Sequence, residues 1–284
     1  MNLTSPSQVK AWCIEHDFHP NKVLGQNFLI DQNALKAIVD AGLENVRMFG
    51  CSDVRVCPHV LEIGPGLGVL TEEMLNRGCR VTAVEKDPVL AARLKESLGD
   101  PEGLEVIAGD ALEWLSQSNN RTIEQSNDPF SCMISNLPYQ AGTRILLELV
   151  KARQLPSMTV LVQTEVAERL AAGPGGKTRG LAGVWAQLDY DVKIVRKVAA
   201  SCFWPRPEIG SSVVRLDRHD RNAGLSAEER DLFHRLTKQA FEHRRKQLGS
   251  IFKDLIQSTA RAETLSNEDW LALVRELVNV NAKI

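Results

Sequence analysis

The chain has 284 residues, 43% of them hydrophobic and 25% charged, an ordinary balance for a soluble globular protein with room for one large domain or a large and a small one. Its longest apolar runs, such as Ile145-Leu146-Leu147, are far too short to span a bilayer, and "MNLTSPSQVKAWC" at the start lacks the apolar core of a secretion signal. The net charge of −2 speaks against a uniformly basic nucleic-acid coat, yet residues 169–261 hold 18 Lys and Arg against 10 Asp and Glu, leaving 16 against 26 elsewhere.

In chain order, Ser5-Pro6 is expected to open a helix, since proline is favoured in a first helical turn. "QNALKAIVDAGL" (32–43) has helical apolar spacing. Strand-like and helical runs then alternate. "HVLEIG" (59–64) precedes a helix near 69–77, and "RVTAVE" (80–85) precedes one near 88–98. "LEVIAGD" (104–110), "FSCMIS" (130–135), helical "TRILLELVKA" (143–152) and "MTVLVQT" (158–164) continue the series. This alternation predicts an α/β fold with a mainly parallel sheet. "LDYDVKIVRKV" (188–198) and "SSVVRLD" (211–217), with no helix between them, are expected to pair as antiparallel edge strands. From Ser226 to Ile256 the pattern is helical, and again in "SNEDWLALVRELV". The polar stretch "RLDRHDRNAGLS" (215–226) marks a boundary between a domain of 1–217 and a small all-α domain of 218–284. Polar runs at 44–59 and 116–129 are expected to be surface loops. Six cysteines, at 13, 51, 57, 79, 132 and 202, include no CxxC pair and read as reduced thiols of a cytoplasmic protein. Cys51, Cys57 and His59 lack a fourth partner, so no metal site is expected.

The densest signal is Glu62-Ile63-Gly64-Pro65-Gly66-Leu67-Gly68 at a strand-to-helix junction. Glycines there let the backbone turn tightly and approach a ligand closely. Glu85 ends the next strand 21 residues after Gly64, where an acid can accept both hydroxyls of a ribose. The dinucleotide fingerprint G-x-G-x-x-G is broken by Val69, and Glu62 precedes the first glycine. That is the pattern of enzymes using S-adenosylmethionine (SAM), and it disfavours a nicotinamide dehydrogenase. Asp110 in "AGDAL" falls where such enzymes hold the adenine amino group of the cofactor. It also fits a helix N-cap; the upstream motifs favour the cofactor role.

"SNLPYQAGTR" (135–144) brings an amide, a rigid proline and an aromatic ring to the end of a strand. An exocyclic adenine amine is a poor nucleophile because its lone pair is delocalised into the ring. Hydrogen bonds accepted by the Asn136 side chain and the Leu137 carbonyl favour the more tetrahedral, attacking nitrogen. Tyr139 supplies a stacking face for a base taken out of its stack, and Pro138 fixes the turn. Because stacking needs only the ring, Tyr139→Phe is expected to be tolerated.

With these motifs the chain resembles the rRNA adenine-N6,N6-dimethyltransferases, most closely the small-subunit (kasugamycin-sensitivity) group. The resemblance runs from about Lys22 to Lys253, through "KVLGQNFLID", "EIGPGLGVLT", "VEKD", "GDAL", "SNLPY", "ERLAAGPGGK", "FWPRPEIGSSVVRL" and "AFEHRRKQLGSIF". It implies a Rossmann-like methyltransferase fold and SAM as cofactor, held by Asn27, Leu29, Gly64, Gly66, Glu85, Asp110 and Asn136. It also implies that Phe203, otherwise a loop anchor, packs on the far side of the target adenine. Asn136, Leu137, Pro138, Tyr139 and Phe203 then form the catalytic set, while Arg244, Arg245 and Lys246 bind RNA. The implied substrate is two adjacent adenines in the 3′-terminal hairpin loop of 16S rRNA, within an immature small ribosomal subunit. The enzyme would act as a monomer, with no membrane partner. The chain departs from the family at Thr164 and at 178–183, around the presumed RNA face, and loop 44–59 is longer than usual. Large-subunit resistance methyltransferases usually read Asn-Ile-Pro-aromatic, and DNA adenine methyltransferases more often Asp- or Asn-Pro-Pro-Tyr. A purely binding relative, such as an assembly or transcription factor, would not need the intact Asn136–Tyr139 loop.

Overall fold

The computed structural model describes residues 2–21, 24–44, 46, 57–117, 129–253 and 255–281. Lys22, Cys51 and most of the polar stretches 44–59 and 116–129 lie outside the described residues. Contacts divide the chain into two compact units: Met1–Ala167 with Lys193–Arg218, and Glu168–Val192 with His219–Ile284.

The first unit opens with helix α1 (Pro6–Glu15), Ser5 at its N-cap and Pro6 at its first position. Strand β1 (Phe28–Leu29) leads into α2 (Gln32–Leu43), which Asp31 caps by accepting a hydrogen bond from the Ala34 amide. There follow β2 (His59–Ile63), α3 (Val69–Asn76), β3 (Arg80–Glu85), α4 (Pro88–Ser97), β4 (Leu104–Ala108), α5 (Ala111–Gln117), β5 (Cys132–Asn136), α6 (Gly142–Ala152) and β6 (Ser157–Gln163). After α7 (Thr164–Ala171) and α8 (Leu181–Asp189) come β7 (Tyr190–Val198), β8 (Phe203–Trp204) and β9 (Ser211–Arg218). The sheet runs β4-β3-β2-β5-β6-β9-β7, with β2 to β6 parallel and β9 antiparallel to β6. Val60, Leu61, Ile63, Val81, Val84, Met133 and Ile134 are buried, as expected of strands covered on both faces.

Only one of the two predicted edge strands is an edge. β9 pairs with β6 from Ser157↔Asp217 to Gln163↔Ser211 and lies inside the sheet, with β7 outermost. Composition explains it: Ser211 to Leu216 are all buried on β9, whereas β7 exposes Lys193, Val195, Arg196 and Lys197. Leu188 and Asp189, read as strand, end α8 instead.

The chain extends the sheet through β3 and β4 on one side of β2, then through β5 and β6 on the other. The order therefore reverses between β2 and β5, and a crevice opens at their carboxyl ends, where open α/β sheets take ligands. The loop from Gly64 follows β2, and Asn136 ends β5.

The second unit consists of α8, α9 (Ala227–Glu242), α10 (Leu248–Phe252) and α11 (Asn267–Asn281), with the segments that join them. A single cut at 217/218 misses that residues 168–192 group with these helices. They do so because α8 packs on α9 and α11, burying Val184, Trp185, Phe233 and Trp270. Trp185 donates its indole N–H to Thr237 Oγ1 at 2.9 Å. Ser226 and Glu229 form a reciprocal capping box on α9. The helix predicted to run on from Ser226 breaks after Glu242, leaving Arg244, Arg245 and Lys246 in the turn before α10.

Two of the departures at 178–183, Arg179 and Gly183, are buried and serve as internal supports. Arg179 is 1% exposed and donates to the Ala172 carbonyl, Gln187 and Asn267. A Cβ on Gly183 would fall 2.4 Å from the Arg169 carbonyl oxygen, so only glycine lets α8 approach that backbone so closely. Gly183→Ala should therefore destabilise the protein by about 1–3 kcal/mol through overpacking. An unchanged denaturant midpoint would refute this.

Candidate functional site

A cavity of about 320 Å3 sits at the switch point in the first unit. Gly64–Leu67 after β2, Glu85 and Lys86 at the end of β3, Gly109 and Asp110 after β4, and Asn136–Gln140 after β5 line it, together with the segment Leu24–Leu29.

Gly64 and Gly66 have φ of +70° and +59°, left-handed values that glycine adopts at no steric cost. A Cβ on Gly66 would lie 3.1 Å from the Phe28 ring. The Glu85 carboxylate accepts from the Gly66 amide at 3.0 Å and from the Asp87 amide at 2.8 Å. Burial pushes its pKa up. Glu62, 1% exposed, accepts a 2.6 Å hydrogen bond from Thr71, and its burial raises the carboxyl to about 8. Asp110 takes the N-cap role its sequence allows and also lies on the cavity wall. One oxygen caps α5 through the Leu112 amide at 2.7 Å, and the other takes the Lys86 ammonium at 2.7 Å on the cavity wall. The hydrogen bond from Lys86 holds its pKa below the usual carboxylate range.

The loop after β5 is fixed to the loop after β2. The Ile63 amide donates to Ser135 Oγ at 2.9 Å, and a Cβ on Gly64 would stand 3.6 Å from Pro138 Cδ. Asn136 donates its side-chain N–H to the Asn27 carbonyl at 3.1 Å, which leaves Oδ1 as the free acceptor of that amide. Leu137 is buried and bonds through its amide to the Leu161 carbonyl at 3.2 Å. The Gly142 amide closes the turn on the Pro138 carbonyl at 2.7 Å. The half-buried ring of Tyr139 lines the cavity, and its hydroxyl shares a 2.6 Å hydrogen bond with Ser211.

Leu29 is buried and still contributes to the lining. Next to it, Gln26 donates to Asp87 Oδ2 at 2.8 Å, while Asp87 Oδ1 caps α4. The segment 24–29 is thereby tied to the cofactor loops and to Asn136 at once. Gln26 and Ser211 were not singled out from the sequence, because their partners lie far along the chain. Phe203 does not join the group. It is 2% exposed, pairs with Leu29 across β1 and β8, and packs in the hydrophobic core rather than on the cavity. Arg244, Arg245 and Lys246 belong to the second unit. Arg245 and Lys246 are exposed, whereas Arg244 donates to the Lys177 carbonyl at 2.7 Å.

Glu62 makes a pH prediction. Its folded pKa lies above the unfolded carboxylate value, so the folded state holds the extra proton and stability falls as pH rises from about 4.5 to about 8. Glu62→Gln, which cannot ionise, should remove this component. Without ligand the variant should gain on the wild type by on the order of a few kcal/mol between pH 5 and 9 in thermal or denaturant unfolding. Parallel pH profiles would refute the assignment.

A model of the ribosomal RNA adenine dimethylase family matches residues 17–281. The ribosomal RNA small subunit methyltransferase A of Alkaliphilus oremlandii is 36% identical over 97% of this chain and 98% of its own length. The protein of the same name from Deinococcus radiodurans is 44% identical over 76% of this chain and 67% of its own. A dimethyladenosine transferase from Plasmodium falciparum, known from its crystal structure, shares the fold, with a TM-score of 0.71 at 22% identity over 89% of this chain and 98% of that one. The chain therefore belongs to the ribosomal RNA adenine dimethylase family, as an rRNA adenine-N6,N6-dimethyltransferase whose methyl donor is S-adenosylmethionine.

Proposed function

We propose that this enzyme dimethylates two adjacent adenines in the 3′-terminal hairpin loop of 16S rRNA, on an immature small ribosomal subunit late in assembly. The relatives' small-subunit names support the choice of RNA. We further propose that it acts as a monomer in the cytoplasm, where such a substrate is found. No helix among the described residues is long and apolar enough to cross a membrane.

The observation that carries the reading is the tether on Asn136. With one N–H bonded to the Asn27 carbonyl, the amide is held in place at the end of β5 and its Oδ1 is left to accept. An acceptor is what the amine of adenine needs, because a hydrogen bond from N6 favours the pyramidal nitrogen of the transition state. The Leu137 carbonyl is the second acceptor, Pro138 fixes the turn, and the Tyr139 ring holds the base by stacking. S-adenosylmethionine supplies an electrophilic methyl group on a sulfonium. Gly64 and Gly66 would give it room, Glu85 would take the ribose hydroxyls, Asp110 would lie beside its adenine, and Asn27, Leu29 and Asn136 would close the cavity beside it. No strong base is required, because the proton on nitrogen becomes acidic once the methyl is transferred. In the core, Phe203 serves to hold β8 against β1 and so to support the 24–29 segment.

Asn136→Ala should lower methyl transfer to under-methylated small subunits by about 10²–10³-fold. RNA affinity should change little, because phosphate contacts dominate it. A normal rate would make Asn136 only a turn residue, and modification of large-subunit RNA instead would overturn the substrate.

Arg244 has a structural duty, so the test of the basic turn uses Arg245→Ala with Lys246→Ala. The double variant should bind RNA more weakly and flatten the salt dependence by a slope of about 1–2. SAM affinity should stay unchanged. Filter binding over a salt series decides it, and an unaltered slope would remove these residues from the RNA contact.

A further inference from the structure

We infer that Ser211 is a positioning residue for the target base: its hydroxyl pins the far end of the Tyr139 ring and so fixes the plane on which the adenine stacks. The inference rests on the reading of Tyr139 as the stacking face.

The two hydroxyls stand 2.6 Å apart, and Ser211 is 0% exposed. Ser211 is held on both sides. It is the first residue of β9, opposite Gln163 at the end of β6. The Thr164 amide donates to the Gly210 carbonyl at 3.1 Å, and the hydroxyls of Thr164 and Ser212 share a 3.1 Å hydrogen bond. This also gives Thr164, another departure from the family, a place in the β6–β9 corner. The backbone end of Tyr139 is fixed as well, by the turn closed on the Pro138 carbonyl and by Gly25, where an added Cβ would stand 3.1 Å from the Tyr139 nitrogen. A ring held only at its Cα can swing about two side-chain torsions. A ring held at both ends has lost that freedom before the base arrives, so capture of the base does not have to meet that entropy cost. Burial raises the phenol's pKa and keeps the O–H in place for the hydrogen bond.

The expectation that Tyr139→Phe is tolerated changes accordingly. Removing the phenol oxygen would free the ring and leave a buried serine hydroxyl without its partner.

The test is a double-mutant cycle in the full-length enzyme, with methylation of under-methylated small subunits and calorimetric SAM binding as readouts. Ser211→Ala and Tyr139→Phe should each lower kcat/KM for RNA by about three- to tenfold, chiefly through KM, with SAM affinity within about twofold of wild type. The double variant should be no worse than either single one, because both remove the same hydrogen bond. Tyr139→Ala, which removes the ring, should fall well below all three. Losses that multiply in the double variant, or a fully active Ser211→Ala beside an impaired Tyr139→Ala, would overturn the anchor and leave the stacking reading standing. A fully active Tyr139→Ala would overturn the stacking reading and the anchor with it. If Ser211→Ala loses SAM binding through misfolding, Tyr139→Phe alone decides: a wild-type kcat/KM overturns the inference, and the three- to tenfold loss supports it.

Discussion

The pairing of β2 with β5 is the constraint on which the site depends. These two strands are far apart in sequence, yet Val60 lies opposite Cys132 and Leu61 opposite Met133. Because the strands are parallel, their carboxyl ends emerge together. The glycine loop after β2 and the Asn136 turn after β5 therefore arise a few ångströms apart. The Ile63 to Ser135 hydrogen bond fixes the register at the last step. Segment 24–29 then closes the arrangement, bonding to Asp87 on one side and to Asn136 on the other. A shift of this segment would alter both halves of the site.

The electrostatics of the cavity follow from its acids. Glu62, Glu85 and Asp110 line it with Lys86, and two of these acids are buried enough that desolvation raises their pKa. Glu62 holds its proton at neutral pH and Asp110 is paired with Lys86, so the uncompensated charge is the buried Glu85 carboxylate, which is unfavourable in isolation. It becomes favourable toward a ligand that carries positive charge, as a sulfonium with an amino-acid ammonium does. Opposed charge in a low-dielectric site also discriminates against the neutral thioether left after transfer, which helps the product leave.

Much of this was legible from the sequence, for stated reasons. Alternating apolar runs located β2 to β6 and the helices between them, because each strand is short, apolar and followed by a turn signal. The glycine loop, Glu85, Asp110 and the Asn136–Tyr139 turn were legible because their chemistry is local. What escaped was set by distant partners. Phe203 was expected at the base and lies in the core, since a sequence does not show which way a loop aromatic turns. α8 was hidden by the glycine-rich stretch before it and by Gly183 within it, whose reason is the backbone it touches. The positive surplus of residues 169–261 also overstated the surface charge. Arg179 and Arg215 are buried, the latter paired with Glu44 and Asp217. Arg230 is paired with the buried Asp189. Counting cations along a chain treats such struts as if they faced solvent.

The second unit is assembled from two stretches of chain, 168–192 and 219–284. During synthesis α8 leaves the ribosome first, with Trp185 and Val184 lacking their final neighbours until α9 and α11 have been made. At about 5–20 residues per second that interval lasts several seconds, far longer than helix formation or collapse. Meanwhile β9 can complete the sheet of the first unit, because it lies ahead of both late helices in the chain. An apolar helix waiting in the open is a natural client for a chaperone. A messenger cut short after Arg218 would yield a sheet with all its strands and an α8 that never finds its cover, a fragment that quality control can recognise by its exposed tryptophan face.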